Sequence, residues 1–420
     1  MKALISKSKI KGSVIAPSSK SYTIRALVCA ALSDGRSEII SPLGSDDTEA
    51  CQDILTKLGV RIDQDNTSWL VKGGNLHQPD SDLYCRESAA TQRFMTAVCS
   101  TVQGICRLTA APSLARRPVQ PLMQPLRQLG VKCNYDETGS AITVNGGILK
   151  GGLAELPGDI SSQYVSALLF ISPFAEEGMT IRLTTPLESR PYVSMTLDCL
   201  RKFGIEIETS GEMREYRTTR QTYRSANYTI EGDWSSASYL LAAGAVAGDI
   251  IVKGLNPESL QGDKVILDFL ENMGASVKIS NDSISVKESA LRAVKADLTD
   301  CIDLLPTMAA LAAVAEGTSE FIGIARARIK ESNRVSAVKA GLEKAGISVI
   351  EEKEKLIITG GTLAGAVIDS NNDHRIAMAF SILGLKAGNI TIENAECVAK
   401  TFPEFWDILK HIGGRVKTDG

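Results

Sequence analysis

The sequence predicts a mixed α/β chain of two domains, each built from three similar units. Three observations lead there. The chain has 420 residues, beyond the size at which a single hydrophobic core keeps growing. A short pattern recurs six times: "LGVRI" at 58–62, "LGVKC" at 129–133, "FGIEI" at 203–207, "MGASV" at 273–277, "AGISV" at 345–349 and "IGGRV" at 412–416. Its glycines, Gly59, Gly130, Gly204, Gly274, Gly346 and Gly413, are spaced by 71, 74, 70, 72 and 67 residues, so six units of that length fill the chain. Finally, every unit mixes helical and strand-like stretches, and repeats of this length are supersecondary units rather than a thin solenoid.

Each element has a local reason. Amphipathic stretches such as "DILTKLGV" and "VILDFLENMGA" precede the repeated glycine. That glycine suits the left-handed turn closing a helix, and the β-branched residues after it suit a strand. In the first unit "EIISPL" (38–43) and "SWLVKGG" (68–74) read as strands around the helix "DDTEACQDILTKLG", with Asp46–Asp47 at its start. "AITVNGG" (141–147) and "LIITGG" (356–361) repeat the strand-then-glycines ending. From "APSSKSYTIRAL" (16–27) onward, Ile24, Leu27, Val28, Ala31 and Leu32 form a helical stripe that Gly35 ends. Domain crossings are expected near Gly12–Ser13 and near Ile230–Gly232, giving residues 1–12 with 232–420 as one domain and 13–231 as the other. The second crossing rests on the polar, strand-poor stretch 209–226, after which "YTIEGDWSSASYLLAAGAVAG" starts afresh.

Composition narrows the function. Apolar residues are 44%, charged residues 23% and the net charge is −3, a balance that argues against a nucleic-acid binder. Nine cysteines without a C-x-x-C, and only three histidines, argue against structural zinc and for reduced, buried thiols. No apolar run approaches the ~18 residues of a membrane span. "MKALISKSKIKG" lacks the apolar core of a secretion signal. A cytoplasmic protein is the expectation.

Basic residues keep appearing where helix dipoles are already positive. Lys20, Ser21 and Arg25 lie at the head of the first helix, with Ser21 and Arg25 on one side of it. His374 and Arg375 open "HRIAMAFSILGL". Lys400 precedes a capping box from Thr401 to Glu404. Arg326, Arg328, Lys330 and Arg334 surround another helix start, Arg116 and Arg117 precede a proline-started helix, and Arg93 lies in "ESAATQRFMTAV". Asp159, Ser161, Ser162 and Gln163 offer further groups at a helix start. A cation at that end is unfavourable unless an anion meets both it and the backbone N–H groups. Solvated charges beside serine caps are the plainer reading of any single case. The set together points to substrates carrying several negative charges. Asp303 reads as a helix cap or as a base, Glu331 as an ion-pair partner of Lys330 or Arg334 or as a poised base, and Asp233 as a cap.

"PSSKSYTIRAL", "ESAATQR", "RRP", "ISSQYVSALL", "ESRPY", "EGDWSSASYLLAA", "IDLLPT", "RIKESNR", "NNDHRIAMAFS" and "AKTFPEF" occur in the order found in the 5-enolpyruvylshikimate-3-phosphate synthase family, which the chain resembles from about residue 13 to 405. The resemblance implies the enolpyruvyl transferase fold, a two-domain inside-out α/β barrel with three βαβαββ repeats per domain and helix N-termini converging on a cleft. It implies transfer of the enolpyruvyl group of phosphoenolpyruvate to the 5-hydroxyl of shikimate 3-phosphate, with no metal or cofactor and usually as a monomer. Domain 13–231 would be the shikimate 3-phosphate side. The other domain would be the phosphoenolpyruvate side and carry the acid and base residues. By position, Lys20, Ser21, Arg25, Ser161, Ser162, Gln163, Ser189, Tyr192, Asp303 and Lys330 would contact shikimate 3-phosphate. Lys20, Ala89, Arg117, Gln163, Arg334, Arg375 and Lys400 would contact phosphoenolpyruvate. Asp303 would accept the hydroxyl proton, Glu331 would deliver one to the methylene carbon, and Lys20 and Lys330 would assist.

The chain departs from the usual "N-A-G-T-A-x-R" segment, reading Glu87, Ala89 and Ala90 where asparagine, glycine and threonine are usual; Arg326 stands where asparagine is common and Ser18 where glycine is. The Ala89 methyl would intrude where phosphoenolpyruvate and the longer inhibitor glyphosate bind, so reduced glyphosate sensitivity is expected. Two rivals remain. A transferase acting on UDP-N-acetylglucosamine typically has a cysteine five residues before the arginine-proline pair, where this chain has Pro112. A non-catalytic anion-binding protein on the same scaffold would not need Lys20, Asp303, Glu331, Arg375 and Lys400 together.

Overall fold

A computed structural model of the chain describes residues 1–136, 138, 140–281 and 283–419. Two compact units emerge, Met1–Pro17 with Glu231–Gly420, and Ser18–Ile230. The chain therefore begins in one unit, builds the other and returns. The first crossing falls later than Gly12–Ser13, because the strand Ile10–Ile15 pairs along its whole length with Gly248–Lys253 in the first unit.

The described residues form six four-stranded sheets, three per unit, that share one pattern. A parallel pair is followed by two antiparallel neighbours. In one sheet Leu83–Tyr84 runs parallel to Gly104–Thr109, which pairs antiparallel with Ala141–Gly146, and that with Lys132–Tyr135. Parallel strands need a long crossover, and here it is a helix: Ala89–Val98 in this sheet, Ser162–Ile171, Leu305–Val314 and His374–Ala387 in three others. A second helix then leads into the glycine turn. All six repeated glycines are left-handed, with φ between 81° and 100°. Without a Cβ, glycine adopts that conformation at little cost.

Crossover helices are buried nearly all round. Every residue of Trp234–Ala247 and of Ala89–Val98 is buried. The stripe expected for the first helix is thus one part of a wider buried surface, since Thr23, Arg25, Ala26, Cys29 and Ala30 of Lys20–Leu32 are buried as well. Helices that are apolar or small all round belong inside, and they form the centre of each unit with sheets around them. The core of one unit draws on residues 3–16 and 234–412, that of the other on residues 22–230. The stretch 209–226 is less strand-poor than its polarity suggests: Glu208–Thr209 and Glu215–Thr218 form the antiparallel part of the third sheet of Ser18–Ile230.

The strand-then-glycines endings have a packing cause. A Cβ on Gly73, Gly146 or Gly360 would meet the carbonyl oxygen of Ala30, Cys99 or Ala315 at 2.3, 2.1 or 1.8 Å. The N–H of the following glycine donates to Ala31, Ser100 or Ala313. Each pair thereby seals the carbonyl end of a buried helix with a strand end, satisfying acceptors that have no partner within the helix.

All nine cysteines are free thiols, seven of them buried. Among the described residues no helix is long and apolar enough to cross a membrane.

Candidate active site

The buried helices of Ser18–Ile230 carry serine caps: Ser19 accepts from the N–H of Tyr22, Ser88 from Thr91 and Ser161 from Gln163. Polar groups cluster at these heads. Lys20 Nζ lies 2.9 Å from Asp47 Oδ2, and Asp47 is 2% exposed. Arg25 is held on three sides, by Thr196 Oγ1 at 2.8 Å, the Ser21 carbonyl at 2.9 Å and the Tyr192 carbonyl at 3.0 Å. Its guanidinium sits over the rings of Phe94 and Tyr192. Arg93 donates to Ser161 Oγ and to Gln163 Oε1 and lies over the Tyr164 ring. Ser189 is buried in the left-handed region, φ 54°, immediately before the helix Arg190–Lys202, which brings Tyr192 to Arg25. Strained backbone of this kind persists where surroundings hold it. Arg117, half-buried, lies in the link between a short helix Pro112–Ala115 and the helix Gln120–Gln128. Ala89 is the first residue of its helix and 6% exposed. Glu87 accepts a bond of 2.6 Å from Ser113 Oγ.

In the other unit Arg334, 1% exposed, organises a buried ionic cluster. Its Nη1 lies 2.7 Å from Asp303 Oδ1, its Nε 2.8 Å from Asp373 Oδ2, and its Nη2 is bonded to Glu331. Asp303 also faces Lys330 Nζ and Arg375 Nη2, each at 3.5 Å. Arg375 donates to the Tyr239 hydroxyl at 3.4 Å. Asp303 does not hold a cap position: it lies in the 3-10 turn Ile302–Leu304, and Leu304 occupies the cap position of Leu305–Val314. Glu331 makes the expected ion pair with Arg334, and Asp233 the expected cap, to the Ser236 N–H.

Electrostatics follow from these contacts. Burial pushes Asp303 towards its neutral form, but Arg375, Lys330 and Arg334 outweigh it and hold the carboxyl well below the usual range. Burial lowers Lys330 to about 8, against the attraction of Asp303. His374 is fully enclosed beside Arg375, and burial keeps its ring neutral. The cluster can hold an anion near Lys330 and Arg375 and present an ionised carboxylate to a hydroxyl.

Lys400, 6% exposed, ends the 3-10 stretch Ala395–Lys400. The capping box from Thr401 to Glu404 does not form. The following helix starts only at Phe405, Glu404 holds the cap position, and no side chain caps it. The Pro403 ring disfavours the helical region for Phe402, the residue before it, so the helix does not extend back through that position.

Two carboxylates do more than the residues alone suggest. Asp47 reads as a helix-start residue, and it is also the buried partner of Lys20. Asp373 caps its helix through the Arg375 N–H and simultaneously holds Arg334, 39 positions away in the chain. The NNDHR context marks the segment, but nothing local pairs Asp373 with Arg334.

The profile of the family "EPSP synthase (3-phosphoshikimate 1-carboxyvinyltransferase)" matches residues 5–409. The chain belongs to the EPSP synthase family. Among its relatives, the 3-phosphoshikimate 1-carboxyvinyltransferase of Dehalococcoides mccartyi is 48% identical over 421 residues, covering 100% of both chains. That of Methanococcus maripaludis is 40% identical over 418 residues, covering 97% of each. The solved EPSP synthase of Acinetobacter baumannii superposes with a TM-score of 0.84 at 27% identity over 100% of both chains. The enolpyruvyl transferase NikO from Streptomyces tendae shares the fold, with a TM-score of 0.82 at 17% identity over 99% of this chain and 98% of its own. The six-repeat architecture is thus that of the enolpyruvyl transferases, and the ionic cluster on Arg334 lies within the span that the EPSP synthase family covers.

Proposed function

We propose that this protein transfers the enolpyruvyl group of phosphoenolpyruvate to the 5-hydroxyl of shikimate 3-phosphate, releasing phosphate, as a cytoplasmic monomer. Full-length identity to enzymes bearing the name 3-phosphoshikimate 1-carboxyvinyltransferase supports this reading. The observation that carries it is Asp303: a buried carboxylate kept ionised by Arg334, Lys330 and Arg375. Such a group is already ionised and can accept a proton, although the surrounding cations weaken it as a base. In the proposed chemistry Asp303 accepts the hydroxyl proton as the oxygen bonds to C2 of phosphoenolpyruvate, and Glu331 protonates C3. Collapse of the tetrahedral intermediate then expels phosphate, with Lys20 favouring its departure, as the C3 proton returns to the protein. Ser21, Arg25, Ser161, Ser162, Gln163, Ser189, Tyr192 and Lys330 hold shikimate 3-phosphate, and Arg117, Gln163, Arg334, Arg375 and Lys400 hold phosphoenolpyruvate. A phosphate-release assay with both substrates tests the reading. Release that depends on shikimate 3-phosphate and falls by about 100-fold or more in Asp303→Ala and Glu331→Ala supports it; release with UDP-N-acetylglucosamine instead, or binding without turnover, overturns it.

Ala89 sharpens the inhibitor expectation. Its methyl sits at a crowded, buried helix head, and a site that tolerates a short ligand discriminates against a longer one by contact. Glyphosate should inhibit weakly, and Ala89→Gly should lower its inhibition constant by about tenfold or more. Tight inhibition of the unaltered chain would sink this expectation.

A further inference from the structure

A cavity of about 550 Å³ opens at the end of the first unit where two of its buried helices finish. Ala247 closes the helix Trp234–Ala247 there, and Leu385 and Lys386 lie in the last turn of His374–Ala387. The link Lys7–Lys9, between the strands Lys2–Ser6 and Ile10–Ile15, forms one wall. The turn leading from Gly413 into the strand Arg415–Asp419 forms another. Arg375 sits at the opposite end of His374–Ala387, eleven residues before Lys386. At 1.5 Å per residue that is about 16 Å, so the cavity is separate from the ionic cluster on Arg334.

Backbone bonds fix the walls. The Ser8 N–H donates to the Leu385 carbonyl at 3.0 Å, the Arg415 N–H to Ser8 Oγ at 3.1 Å and the Lys11 N–H to the Ile412 carbonyl at 2.8 Å. Gly413 is left-handed, φ 100°, and a Cβ there would meet the Lys9 carbonyl oxygen at 3.2 Å. The charge is one-sided: Lys7, Lys9, Lys386 and Arg415 line the cavity, and no carboxylate does. Glu288 bridges two of them from outside the lining, accepting from Lys9 and, at 3.1 Å, from Lys386 Nζ. The side chains of Lys7 and Arg415 have no ion pair and no hydrogen bond among the described residues. Four cations against one carboxylate leave an excess of three positive charges, in a chain whose net charge is −3.

A helix C-terminus attracts cations, and that accounts for Lys386. It does not account for Lys7 and Arg415, which belong to no helix. The acceptors at these helix ends are also taken: besides the Leu385 carbonyl, the Ala245 carbonyl accepts from the Ser289 N–H and the Gly248 carbonyl from the Glu288 N–H. Like charges around one hollow repel, and an anion placed among them relieves that repulsion. A cavity of this size holds a small molecule. An arginine fork beside ammonium groups suits phosphate, whose oxygens face several directions at once, better than a flat carboxylate that meets one fork. We propose that this cavity is a second anion site, taking a small molecule that carries a phosphate group and at least two negative charges. It lies outside the proposed reaction and does not depend on that reading.

The test titrates the full-length chain with pyrophosphate and with 3-phosphoglycerate, following backbone amide resonances by NMR and affinity by calorimetry. The amides of Ser8, Gly388 and Gly413 should move with at least one probe. Tighter binding of pyrophosphate assigns the site to an inorganic phosphate, and tighter binding of 3-phosphoglycerate to an organic one. In the double variant Lys7→Gln with Arg415→Gln the affinity read at those amides should fall about tenfold or more. Both side chains are exposed, so the variant should keep the near-UV circular dichroism of the unaltered chain. Should it not, the single variant Lys386→Gln takes its place, with a loss of about threefold or more expected. Three results overturn the proposal. Shifts confined to residues around Arg334 and Arg375 would put both probes in the substrate site. Equal affinity in the variant would deny the cavity its cations. The same shifts with potassium chloride at matched ionic strength would reduce the site to loose attraction of counterions.

Discussion

Arg334 shows how much one side chain can hold. Asp303, Glu331 and Asp373 all contact it, and Lys330 and Arg375 contact Asp303, so three carboxylates and three cations balance in a nearly dry cluster. Buried ion pairs add little net stability, but removing one partner leaves an uncompensated charge. Such a network holds its charged side chains in fixed places, which suits a site for anionic substrates. Burial brings the Lys330 ammonium down to about 8. If its ammonium meets shikimate 3-phosphate, kcat/KM for that substrate should fall as pH rises through about 8, because the cation is lost there. Lys330→Arg should carry the falling limb to higher pH, since a guanidinium stays charged; an unchanged limb in that variant would deny Lys330 the role. Part of this cluster was legible in the sequence. Glu331 and Arg334 are three residues apart, close enough to pair from either side of a helix start. Asp373 and Asp303 meet Arg334 from 39 and 31 residues away, and no local pattern encodes that.

At the scale of the element, glycine is the readable feature. The six helix-closing glycines share a conformation, and the paired glycines after three strands share a packing role. The two kinds should respond differently to substitution. Gly130→Ala has open space around the new methyl, so its cost is the left-handed backbone, φ 87°, on the order of 1–2 kcal/mol. Gly146→Ala drives a methyl into the Cys99 carbonyl at 2.1 Å, so the strand and helix must part, costing about 1–3 kcal/mol or more. Urea unfolding of both variants checks the order, and equal costs would contradict the packing argument. Sequence periodicity was less informative for the crossover helices. The stripe on Lys20–Leu32 suggests one buried face, yet small residues such as Ala26, Cys29 and Ala30 let the opposite face be covered as well. A small side chain is compatible with both burial and exposure, so only packing decides.

The whole molecule divides its apolar residues cleanly. One core uses residues 22–230 and the other residues 3–16 and 234–412. A continuous segment with its own core should fold alone. Ser18–Ile230, expressed by itself, should unfold cooperatively with dispersed amide resonances; a molten fragment would show that its core is incomplete. The sequence by itself determined the repeat number, the helix-then-strand grammar of each unit and the family, because turn glycines, capping residues and motif spacing are local and leave a periodic trace. The tertiary structure alone decided which carboxylate meets which cation, that Ile10–Ile15 stays with the first unit, and that helices such as Trp234–Ala247 lie wholly inside. Those outcomes depend on strand pairing and burial between residues far apart in the chain, and contacts at such separations have no period to read.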